Sequence, residues 1–144
     1  MKTLLILSLL VTFQSTEYGK PEELKGLTKV FVDTGGDMKN RERITKELAK
    51  LKLELLDSAE GAEVVLDFGA GKSERISGTM SGGQGTLGTR RINTGQGRVY
   101  VIREGKARLV LSYEGEEKFA WEDKPASNFG KMFAKAWKKA NGMK

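Results

Sequence analysis

The chain has 144 residues, enough for one domain with a core of its own. It is 38% hydrophobic and 31% charged, carries a formal net charge of +6, and contains no histidine and no cysteine. A Ser-His-Asp triad, a cysteine nucleophile, a disulfide and a zinc site with nitrogen or sulfur ligands are thereby excluded.

Met1 to Thr16, MKTLLILSLLVTFQST, sets one cation, Lys2, ahead of an apolar run from Thr3 to Phe13. That order is the n-region and h-region of a secretory signal peptide. As a helix the run rises about 16 Å, against a hydrocarbon core of about 30 Å, so it is too short to span a membrane. The small residues available for cleavage are Ser15, Thr16 and Gly19, without an A-x-A pattern. The expectation is an exported product, periplasmic or secreted, with no transmembrane segment once residues 1–16 are removed.

Glu17 to Thr28 is polar, holds Pro21 and two glycines, and reads as a flexible lead-in to a single domain over residues 29–144. Lys29 to Val32 is a short β-rich run stopped by Asp33-Thr34-Gly35-Gly36. Asp37 is placed to cap a helix in which Ile44, Leu48 and Leu51 recur on one face, with Arg41, Glu42, Lys46, Glu47 and Lys50 toward water. Leu53 to Leu56 and Ala62 to Phe68 read as strands, the second with a nearly continuous apolar middle that suits a buried position.

Residues 69–97 break this pattern, because nine of the eighteen glycines fall there. Strand character survives at Arg75 to Ser77 and at Leu87 to Ile92. The segment therefore reads as extended arms joined by a mobile loop near Gly82 to Gly85. Arg98 to Arg103 and Lys106 to Tyr113 flank Glu104-Gly105, a two-residue hairpin signal. Phe119 to Trp121 returns to apolar after a charged turn. In the last element Phe129, Met132, Phe133, Ala136, Trp137 and Ala140 fall on one helical stripe, opened by Pro125 and Ser127 and closed by Asn141-Gly142. A strand–helix–strand unit gives parallel strands by a right-handed crossover, and the later hairpin is antiparallel. The fold expected is α/β: a two-layer sandwich with a mixed, mostly antiparallel sheet and two helices on one face.

The stretches Ala62-Glu-Val-Val-Leu66, Ala107-Arg-Leu-Val-Leu-Ser-Tyr113 and Phe119-Ala-Trp121, ahead of a closing amphipathic helix, resemble small exported bacterial domains. The resemblance is to the N-terminal domain of TolB and to envelope lipoproteins of the curli-secretion type, over about residues 28–141. It implies an envelope assembly or interaction module rather than an enzyme. The lipidated cysteine common in the lipoproteins is missing here, and no functional residues carry over.

Val32-Asp33-Thr34-Gly35 resembles the aspartic-protease signature, in which two Asp carboxylates share a proton. A homodimer would supply the second Asp, so the alternative expectation is an aspartic-type hydrolase centred on Asp33. Against it, those enzymes continue in β structure, whereas a periodic helix follows here. Gly69-Ala-Gly71-Lys72-Ser73 imitates the end of a phosphate-binding loop, but that motif needs a glycine where Leu66 stands. Asp33 and Asp57 both end strands, where carboxylates serve turns more often than cations. Nothing in the sequence calls for a metal or a cofactor.

The charge is more informative than any motif. Residues 17–68 carry −3, 69–98 carry +4, 99–123 carry −2 and 124–144 carry +6. The final lysines fall off the apolar stripe and face water. In the glycine-rich segment Lys72, Arg75, Arg90, Arg91 and Arg98 flank glycines whose backbone N–H groups can turn toward an anion. The expectation is an exported, non-enzymatic interaction domain whose partner is an envelope protein or an anionic surface, lipid headgroups or acidic polymer. Nucleic acid is disfavoured, because the aromatics fall on core faces and leave no stacking platform.

Overall fold

The computed structural model describes residues 17–81, 84–117 and 124–143, with side chains for all of these but 72–92. The expected leader at 1–16 and Phe119 to Trp121 lie outside the described residues. Among the described residues no helix is long and apolar enough to cross a membrane.

The elements are β1 (Glu17–Tyr18), a 3-10 turn (Pro21–Leu24), β2 (Lys29–Asp33), α1 (Met38–Leu48), β3 (Glu54–Leu56), β4 (Val64–Ser81), β5 (Gln84–Arg103), β6 (Lys106–Glu117) and α2 (Pro125–Ala140). The six strands form one sheet in the order β1-β6-β5-β4-β2-β3. β2 pairs in parallel with both β3 and β4, and β1 in parallel with β6; the long β4-β5 and β5-β6 ladders are antiparallel. This is the α/β sandwich with a mixed, mostly antiparallel sheet that the element order implies.

Both helices cover the same sheet face. Strand alternation turns Val30 and Val32, Val64, Leu66 and Phe68, and Val99 and Val101 to one side, and these pack with Ile44, Leu48, Leu51, Phe129, Phe133 and Trp137 into the main core. Asp37 caps α1 by accepting from the Asn40 backbone N–H at 3.1 Å. The helix ends at Leu48, yet Leu51 still reaches the core from the following turn. α2 opens on Pro125 at its first turn. α1 and α2 come close where Gly130 meets Glu47 and Ile44, since a Cβ there would lie 3.0 Å from the Glu47 Cβ. The Trp137 indole N–H donates to the Leu27 carbonyl at 2.8 Å and so ties α2 to the chain entering β2.

Two expectations change. The stretch expected as a flexible lead-in, 17–28, is part of the folded unit. The Gly19 N–H donates to the Leu109 carbonyl at 2.9 Å, Leu24 is fully buried in the core, and the Arg108 guanidinium meets Glu23 at 2.9 Å. A single leucine at the right place anchors a segment whose composition is otherwise polar. The arms of the glycine-rich segment also run further than expected. The β4-β5 ladder continues in unbroken register to Ser81 opposite Gln84, so Gln84 and Gly85 belong to strand rather than to a loop. Glu104 and Gly105 both take positive φ, 53° and 75°, as a tight two-residue hairpin requires.

Neither described helix covers the second sheet face. One register row crosses all six strands there, Leu56–Phe31–Val65–Tyr100–Leu109–Tyr18. Its centre, Val65 and Tyr100 with Ala62 and Ala107, is buried by its own neighbours, while Tyr18 at the edge is 77% exposed. In β6 a bulge beside Val99 and Tyr100 inserts one extra residue, Val110, so Leu109 and Leu111, two apart in sequence, fall in rows on opposite faces.

Candidate functional site

Among the described residues β2 runs to Asp33 and β6 to Glu117, while β4 and β5 go on together. Past the pairing of Asn93 with Glu117 they form, among the described residues, a two-stranded ribbon, residues 73–81 with 84–92. At about 3.3 Å per residue it projects about 30 Å beyond the sheet.

The ladder sorts the five expected contact residues by position. Arg75 stands directly opposite Arg90, whereas Arg91 stands opposite Glu74 and Lys72 opposite Asn93. Strand alternation places positions 75, 90 and 98 on the helix-free face and positions 72 and 91 on the other. Arg98 is set apart. It lies at the root of the ribbon, opposite Asp67, about 26 Å along β5 from position 90. The register thus sets positions 75 and 90, both arginine, opposite each other in the antiparallel ladder; like charges at such positions cost stability.

On the same helix-free face the root of the ribbon is concave. A cavity of about 840 Å³ is lined by Asp67, Gly69, Gly71, Arg98, Glu114 and Glu116, together with Thr94 and Gln96. Glycine makes the hollow. A Cβ built on Gly69 would meet nothing within 4 Å, and one on Gly71 only the Thr94 hydroxyl at 3.1 Å. Three carboxylates and one guanidinium line it, so the hollow is acidic beside a basic ribbon.

Asp67 is the carboxylate that the sequence does not single out. It lies in register with Asp33 on the parallel neighbour β2. Desolvation first, and then the like charge of Asp33, push its carboxyl above the ordinary 3.8, with Arg98 acting the other way. A carboxylate whose folded pKa is raised binds its proton more tightly when folded and opposes folding once ionised. Asp67→Asn should therefore stabilise the protein at neutral pH, and that gain should fade as pH falls through the acid range. Chemical denaturation of parent and variant at pH 7 and pH 3 checks this. A variant less stable than its parent at neutral pH would mean that the Arg98 attraction outweighs both other effects.

Asp33 itself serves a turn. One of its carboxylate oxygens accepts from the Gly35 N–H at 3.0 Å, and Thr34 Oγ1 donates to the Asp37 carbonyl at 2.7 Å. Gly35 and Gly36 take φ of 63° and 91°, and α1 begins at Met38. The Asp-Thr-Gly segment is thus a strand-to-helix turn, and the chain enters a helix where the aspartic-protease fold continues in strand. No group of three or more acidic side chains is arranged to hold a metal among the described residues.

A second cavity, about 330 Å³, lies on the helix side between the starts of α1 and α2. Several of its polar groups are partnered within the cleft. Lys124 meets the buried Glu117 at 2.5 Å, Asn93 Nδ2 donates to Glu117 at 2.9 Å, and Arg43 donates to Asn40 at 3.0 Å. The Lys124 and Asn93 hydrogen bonds hold the Glu117 carboxyl below its ordinary 4.5.

No family model matches the chain. No curated protein matches it either. Among solved structures, a hypothetical protein from Chlamydia trachomatis is similar at 13% identity and a TM-score of 0.43, covering 80% of this chain and 98% of its own. The uncharacterized lipoprotein B of Nitrosomonas europaea is similar at 14% identity and a TM-score of 0.48, covering 85% of this chain and 81% of its own. A PDZ domain protein from Parabacteroides distasonis is similar at 9% identity and a TM-score of 0.42, and the match spans 31% of that protein.

Proposed function

We propose that this chain is an exported, non-enzymatic interaction domain of the bacterial envelope, and that the β4-β5 ribbon is its contact surface for an anionic partner. The observation that carries the reading is the ribbon itself. A two-stranded β ribbon is marginally stable in water, yet this one continues the ladder well past the described extent of the strands that flank it at the sheet. It concentrates Arg75, Arg90 and Arg91, with Lys72 at its root, against the single carboxylate of Glu74. A projecting, glycine-rich, cationic ribbon gains its stability when something covers it, and the charge selects a negative surface. The leader-like pattern of residues 1–16 supports export.

Replacing Arg90 and Arg91 by Ala tests the reading. Co-sedimentation with anionic phosphatidylglycerol vesicles should fall by about 10-fold or more for the double variant, and the parent should lose binding in high salt. Equal binding by parent and variant removes the ribbon as the contact surface.

A further inference from the structure

The molecule presents a basic ribbon and an acidic hollow on one face, at a fixed spacing along the same two strands. The hollow is centred on the register rows Gly69–Gln96–Glu114 and Gly71–Thr94–Glu116. The row holding Arg75 and Arg90 lies four residues further along β4 than Gly71, about 13 Å. Midway between is the row of Ser73 and Ile92. A twofold axis running parallel to that middle row, about 5 Å above the face that bears the hollow, reverses the strand direction and turns the two faces toward each other. It brings the Arg75–Arg90 row of each copy over the Gly71–Thr94–Glu116 row of the other, and both contacts form at once, as an isologous interface requires.

Resting on the reading that the basic ribbon is the contact surface, we propose that it docks into the acidic hollow of a second copy of this chain, forming a twofold dimer. Charge complementarity chooses the occupant. Asp67, Glu114 and Glu116 outnumber Arg98 in the hollow, while the ribbon places two arginines opposite each other with no carboxylate in their row. The glycine floor lets the sheets approach, because no side chain stands at positions 69, 71 or 88. Face-packed sheets lie about 10 Å apart, a gap that an arginine and a glutamate reaching from opposite sides fill. The Arg75–Arg90 row of each chain is then met by carboxylates of the other, and the ribbon gains a cover beyond that of the described residues of its own chain.

The test is sedimentation velocity on the purified protein with a charge swap. The parent should be a dimer at about 50 mM salt, with a dissociation constant at least about 10-fold weaker at about 500 mM. Arg75→Glu with Arg90→Glu should be monomeric, and so should Glu114→Lys with Glu116→Lys. Mixing the two monomeric variants should restore a dimer, since the reversed ribbon of one then faces the reversed hollow of the other and the unreversed pair is intact. A parent that is monomeric at low salt, or a dimer indifferent to both reversals, overturns the proposal. Should one variant fail to fold by circular dichroism, the salt response of the parent still decides. The Glu114 and Glu116 variant keeps every ribbon arginine, so a monomeric parent that binds anionic vesicles refutes self-association alone. A parent that dimerises but ignores vesicles refutes the foreign anionic surface alone.

Discussion

Phe129→Ala should lower the unfolding free energy by about 3–5 kcal/mol, the range for truncating a large aromatic in a packed core. Phe129 is fully buried at the first full turn of α2. Its ring stacks on Phe68 of β4 with centroids 5.7 Å apart and lies 5.9 Å from the ring of Tyr113 on β6. Beneath it is the backbone of Gly97 on β5, so one side chain touches three strands. Alanine there leaves a cavity bounded by two aromatic rings and the main chain, and the sheet does not collapse to fill it. For a domain whose whole stability is about 5–15 kcal/mol, the loss is a large share of the total, and the melting temperature should drop by about 10–20 °C. Equilibrium urea unfolding checks the value. A loss below about 1 kcal/mol would mean that α2 does not hold the sheet as its contacts imply.

Gly97→Val should be nearly as damaging for the opposite reason. A Cβ built on Gly97 would lie 2.4 Å from the Phe129 ring, and one on Gly95 would lie 2.6 Å from both the Phe68 ring and Pro125. These glycines are the groove into which the first turns of α2 settle. Overpacking a core costs about 1–3 kcal/mol where neighbours can shift. Here the neighbour is a fully buried ring pressed between other rings, so the cost should reach the top of that range or pass it. Gly69→Val is the control. It lies in the same glycine-rich stretch but its Cβ would meet nothing within 4 Å, and valine suits a strand better than glycine. It should change stability by less than about 0.5 kcal/mol. Thermal unfolding of the pair separates the two glycine roles, and equal losses at both positions would refute the distinction. Adding Phe129→Leu to the Gly97 variant should recover part of the loss, because the clash is with the ring.

The two substitutions also show what a glycine count conceals. Gly95 and Gly97 were indistinguishable by composition from Gly69 and Gly71, yet the first pair faces α2 and the second opens the hollow on the other side. Strand alternation separates them only when the register is known. The same holds for charge. Five cations between 72 and 98 read as one basic segment, but the ladder pairs Arg98 with Asp67, Arg91 with Glu74 and Arg75 with Arg90. The net positive charge is real, and Lys72, Arg75 and Arg90 are the cations that stand opposite no carboxylate in the ladder. Asp67 carried no signal of its own, because its partner Asp33 is far away in sequence and only the parallel pairing of β2 with β4 sets them side by side.

What the sequence determined by itself is everything that depends on local periodicity and local chemistry. The stripe of Phe129, Phe133 and Trp137 requires a helix with one buried face. Asp37 ahead of Ile44 and Leu48 requires another, and Glu104-Gly105 requires a two-residue turn. The charge imbalance and the absence of histidine and cysteine are likewise properties of the chain alone. Only the tertiary structure decided how far β4 and β5 extend, since a solvated ribbon of glycine and polar residues has no buried face to impress a period of two on its sequence. It also decided that 17–28 is folded, because the fate of that polar stretch turned on whether the core had a place for Leu24. And it alone set the acidic hollow beside the basic ribbon, because that pairing joins β6 to β4 across β5, and long-range strand register leaves no mark in a single sequence.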